Sequence, residues 1–188
     1  MDRHDKLMKI LGGYVRLLIA DLACTMILMV YMFVYGKGVI VSFLVGLCTT
    51  GVVCGLLADY ILKFSSKVKD NVKYKKKPDC KNFGIPMGIF MMLPGLIVST
   101  VALIAYLDVI PRNWCALFHL FNTYFVPMVD IPIHGHIGNP LEYNIGAIVI
   151  MYFMQIFIFL TCVIVYRVGY ENIDVAEKVM YKGRDNGI

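Results

Sequence analysis

The sequence predicts an all-α integral membrane protein, a bundle of four transmembrane helices, on three observations. Of its 188 residues, 59% are hydrophobic and only 16% charged, whereas soluble domains run at about 45–50% and about 25%. Mean hydropathy is +0.71. The charges are gathered into a few segments that separate four long apolar stretches. Together these exclude an ordinary soluble domain, a disordered chain and a coiled coil.

The first stretch, residues 17–36, lies between Arg16 and Lys37 and holds one charge, Asp21. Its polar approach and its length predict an uncleaved anchor rather than a signal peptide. The second, residues 38–62, ends at Lys63 and holds only Asp59. The third, residues 84–107, is charge-free up to Asp108 and carries Pro86, Gly88, Pro94 and Gly95, so a kink near Pro94 is expected. The fourth, residues 143–166, is charge-free between Glu142 and Arg167. Each has the roughly 20 residues that cross a hydrocarbon core as a helix, the form that satisfies the backbone in lipid.

Lysine and arginine counts set the expected orientation. Arg3, Lys6, Lys9 and Arg16 precede the first span, Lys37 alone follows it, and eight lysines fill residues 63–81. Arg112 is the one basic residue of the loop 108–142, and the tail 167–188 has four. This alternation places both termini and the 63–81 loop in the cytoplasm. The basic charge is therefore topogenic, and no nucleic-acid partner is expected. The Lys63–Lys81 loop should attract anionic lipid. A composition rich in Ile, Met, Tyr and Lys fits a bacterial plasma membrane, with the chain forming a single membrane domain, residues 1–188.

Two further segments have amphipathic character. Residues 114–128 are aromatic but short for a span, which predicts an interfacial or re-entrant helix on the outer loop. Residues 170–182 could form a helix capped by Asp174, lying on the inner surface or against a partner.

Candidate site residues follow from polarity in the spans. Asp21 and Asp59 are costly within a bilayer and mark either an ion or proton site or a pair of buried links, Asp21 with Lys63 and Asp59 with Arg16. Gln155, near the middle of the fourth span, reads as interhelical glue or a substrate contact. Gly51 and Gly55 form a small-residue row that Asp59 extends, beside a second row of Ser42, Gly46, Thr50, Cys54 and Ala58. With Pro94 these are the expected packing positions, and they predict a second span central in the bundle.

In the outer loop, His119, His134, His136 and Glu142 are weak metal candidates whose spacing matches no zinc signature. The six cysteines show no CxxC pairing, no histidine lies in a span to hold haem, and no phosphate-binding loop occurs. No cofactor or catalytic residue is expected.

The pattern favours a non-enzymatic subunit or interaction partner of a membrane complex, with a protein partner or a homo-oligomer. A small oligomeric transporter or channel using Asp21, Asp59 and Gln155 is the alternative, and an outer-face metal-dependent enzyme a third class.

Overall fold

A computed structural model describes residues 3–34, 39–75, 80–133 and 143–171. It is all-helical, with no strand among the described residues, and four helices are long and apolar enough to cross a membrane. These are α1 (Arg3–Val34), α2 (Val39–Lys75), α3 (Gly84–Tyr106) and, after the connecting segment, α6 (Ile145–Glu171). Two short helices, α4 (Ala116–Phe121) and α5 (Val126–Val129), lie between α3 and α6.

All four long helices coincide with the predicted spans, but three overrun them. Helix α1 begins at Arg3 and α2 continues to Lys75, so most of the expected Lys-rich loop is helical. Charge ends an apolar stretch without ending a helix, and lysine is a good helix former. The extension is also amphipathic: Phe64, Ser65 and Val68 are buried while Lys63 and Lys67 point outward. Phe64 joins an aromatic cluster with Tyr60, Phe83 and Tyr166, at centroid separations of 5.3 Å, 6.5 Å and 5.8 Å. Residues 172–188, which hold most of the expected C-terminal amphipathic helix, lie outside the described residues.

Helix α6 is the centre of the bundle, packed on α3 along one side and α2 along another, with α1 outermost against α2. Helix α2 in turn lies between α6 and α1, an inner position as expected of the second span, but it is held there through a different face. Close approach is set by glycines on α3 and α6. A Cβ on Gly88 would stand 3.1 Å from the Phe159 carbonyl oxygen and 3.3 Å from Cys162 Cβ. On Gly84 it would meet Tyr166 Cβ at 2.9 Å, and on Gly169 it would meet the Leu62 Cα at 3.3 Å. By contrast, Gly51 and Gly55 have open space beside them. The expected packing row on α2 faces outward. The neighbouring row turns inward instead, with Ser42, Gly46 and Thr50 buried.

Pro94 sits inside α3 with the helix continuous around it. Having no N–H, it leaves the Phe90 carbonyl without its intrahelical donor. The Tyr14 hydroxyl of α1 donates to that carbonyl. Proline on one helix thus creates the acceptor that attaches another.

Candidate functional site

The segment after α3 turns at Asp108, a non-glycine residue at φ 56°. Its carboxylate accepts two hydrogen bonds from Arg112, at 2.8 Å and 3.1 Å. The Arg112 guanidinium holds this exposed carboxyl below its usual range. The one basic residue of the loop 108–142 is therefore neutralised locally.

The chain then folds back into the bundle. Residues 112–121 form a 3-10 turn and α4, the helix breaks at Asn122 (φ −139°, ψ 40°), and a second 3-10 turn, Thr123–Phe125, leads into α5. Every residue from Asn122 to Asp130 is buried. The predicted helix over 114–128 is thus two helical pieces around a polar break. Trp114 and Phe121 keep an exposed aromatic surface, while the second half enters between the long helices.

Four contacts hold this segment. The Thr123 N–H donates to Asp21 Oδ1 at 2.8 Å, and the Tyr124 N–H and the Thr123 hydroxyl also face this carboxylate. Asp21, from α1, thereby does for the turn Thr123–Phe125 what a capping side chain does for a helix start. The Thr49 hydroxyl on α2 donates to the Tyr124 carbonyl at 2.6 Å. Gly46, also on α2, leaves room for the Met128 side chain, which a Cβ would meet at 2.6 Å. From α6, Gln155 Nε2 donates to Asn122 Oδ1 at 3.1 Å.

The depth of this junction follows from helix geometry. At 1.5 Å per residue, Gln155 lies roughly 15 Å along α6 from Ile145, and Gly95 roughly 16 Å along α3 from Tyr106. Gly95 packs directly on the Gln155 amide.

Beside the junction, α1 and α3 touch sparingly and enclose a cavity of about 370 Å³. Its polar floor is Asp21, Asn122 and Gln155, its walls include Tyr14, Met91 and Tyr124, and its rim is formed by Leu18, Pro94 and Phe121. Asn122 and Gln155 are each 1% exposed. Asn122 Nδ2 and Gln155 Oε1 have no hydrogen-bond partner among the described residues.

Asp21 and Gln155 therefore meet at one site, whereas Asp59 does not. Asp59 is exposed on α2 and pairs with Lys63 of the same helix at 2.7 Å. Arg16 lies 5.9 Å from the centroid of the Tyr60 ring. The expected links Asp21–Lys63 and Asp59–Arg16 are replaced by these contacts. Their physical basis is local: an i,i+4 neighbour meets Asp59 without crossing to another helix.

His119, a weak metal candidate, stacks on Tyr143 at 5.6 Å between centroids and hydrogen-bonds its hydroxyl through Nε2. His134, His136 and Glu142 lie outside the described residues. Burial pulls the His119 imidazole down to about 4 from an ordinary 6.5. The unfolded chain then takes up the proton first, so stability is level above pH 6.5 and falls as the pH drops from 6.5 towards 4. His119→Gln is expected to remove that share of acid sensitivity, as equilibrium unfolding at mildly acidic and neutral pH would register.

Asn122, Thr123, Tyr124, Thr49 and Tyr14 were not expected at the site. One signal for the first two was present: Asn122 and Thr123 interrupt an aromatic run of about three-quarters of a span's length, too short to cross and suited to a segment that enters and returns. Against known proteins, the chain matches no family model, no curated protein and no solved structure.

Proposed function

We propose that the chain is a multi-pass plasma-membrane protein of a bacterial inner membrane, with both termini cytoplasmic, acting as a non-enzymatic subunit that binds another membrane protein through α2. The observation that carries the partner reading is the outward groove at Gly51 and Gly55, where nothing lies within 4 Å of an added Cβ. In lipid, such small-residue rows let a second helix approach closely. Exposed Leu44, Leu47 and Leu62 on the same helix supply apolar area around it. The alternation of Lys and Arg supports the orientation. Anionic lipid at the Lys-rich end is supported by a cleft of about 310 Å³ whose lining includes Lys6, Lys81 and Asn82.

The test is Gly51→Ile with Gly55→Ile. Because both positions are open, the double variant should fold and elute normally from detergent as a single chain. Mild-detergent isolation from the native membrane should then lose a stoichiometric partner, or a homo-oligomer, that the parent retains. An unchanged complex would reject α2 as the docking face.

A second reading, an oligomeric transporter, is favoured by the meeting of Asp21 and Gln155 at one laterally open cavity. It would use those two residues without Asp59, which pairs with Lys63 on the surface. On this reading Asp21→Asn leaves the fold intact and abolishes flux.

A further inference from the structure

We propose that the cavity between α1 and α3 binds a hydrophobic organic cation, its ammonium head against Asp21 and its apolar body between the two helices. This deepens the transport reading and rests on it for membrane placement, but it concerns binding alone.

The electrostatics of the cavity argue for positive charge. Asp21 brings a carboxylate to a mostly apolar space, and no cation among the described residues lies within ion-pair distance of it. Intramembrane carboxylates are costly and are normally paired or placed on a ligand path. The nearest groups answer Asp21 with neutral dipoles, the Thr123 and Tyr124 N–H groups and the Thr123 hydroxyl. A second acceptor, Gln155 Oε1, is buried on the same floor without a donor. An ammonium head carries N–H donors for both oxygens.

The walls suit the rest of such a ligand. Tyr14, Phe121 and Tyr124 contribute aromatic surface, whose electron-rich faces attract organic cations. The volume, about 370 Å³, lies at the lower end of ligand-sized cavities. Entry is lateral: Leu18 is 63% exposed and Phe121 52% exposed at the rim. An apolar body could therefore reach the floor from the surrounding phase without crossing the bundle. The remaining orphan, Asn122 Nδ2, is a donor. A neutral hydroxyl would match it together with Gln155 Oε1, so charge must be tested separately from shape.

The experiment is calorimetric titration of the purified full chain in non-ionic detergent with 4-phenylbutylammonium, and in parallel with its neutral counterpart 4-phenylbutanol. Saturable binding of the ammonium at one per chain is expected, about tenfold or more tighter than the alcohol. Asp21→Asn keeps an oxygen for the Thr123 N–H while removing the charge, and should bring the ammonium down to the level of the alcohol. Leu18→Trp, placed at the rim and outside the loop contacts, should block both ligands. It decides the matter alone should Asp21→Asn fail to fold. Equal affinity for ammonium and alcohol, retained affinity in Asp21→Asn, unblocked binding in Leu18→Trp, or no saturable binding would each overturn the proposal. Flux is not scored, so failure here is separable from failure of transport, which vesicle uptake would show on its own.

Discussion

Gly88→Ile is expected to abolish stable folding, or to lower stability by more than the roughly 1–3 kcal/mol typical of an overpacked core. The neighbours of an added Cβ include the Phe159 carbonyl oxygen at 3.1 Å, and a backbone atom cannot swing away as a flexible side chain can. Relief would require α3 and α6 to separate along the most extensive contact in the bundle. Thermal unfolding in detergent, compared with Gly51→Ile, makes the measurement specific. Both variants add the same side chain to an apolar helix, but the second adds it to open space. A similar loss in both would mean that the outward face of α2 is covered in the folded protein.

Asp21→Ala should be the second most damaging change, and its effect should appear at a distance in sequence. Removing the carboxylate leaves the buried Thr123 N–H without its acceptor, a loss of about 1–3 kcal/mol. Residues 122–130 should then open before the long helices do. A cysteine placed at Phe125, which is fully buried, should become reactive to a membrane-permeant maleimide in the Asp21→Ala background and stay protected in the parent. The native cysteines Cys24, Cys115 and Cys162 are buried, and the exposed Cys48 and the half-buried Cys54 and Cys80 can be changed to serine beforehand. Asp21→Asn, which still offers an oxygen, should protect Phe125→Cys nearly as well as the parent. If Asp21→Ala leaves it protected, the contacts from Thr49, Gly46 and Gln155 suffice to hold the segment.

The chain alone determined the four long helices, because length and apolarity act locally. A run of about 20 apolar residues satisfies its backbone by coiling on itself, whatever its neighbours are. Which face of each helix turns inward was not legible in the same way. Gly51 and Gly55 carry the small-residue pattern, yet α3 supplies the close contacts through Gly84 and Gly88, where Tyr166, Phe159 and Cys162 of α6 stand opposite. A small-residue row specifies that a helix can be approached, and only a partner with matching relief decides whether it is. The charged residues show the same division. Asp21 was recognisable as costly, but Lys63 was taken by Asp59 one turn away, and Asp21 was left to the N–H groups of a segment 102 residues distant in sequence. Pairing across that distance depends on the backbone break at Asn122 and on the space left by Gly46 and Gly95, which are properties of the assembled bundle. The tertiary structure alone therefore decided the site, because its polar groups converge only after the segment between α3 and α6 has folded back between helices that the sequence had already specified.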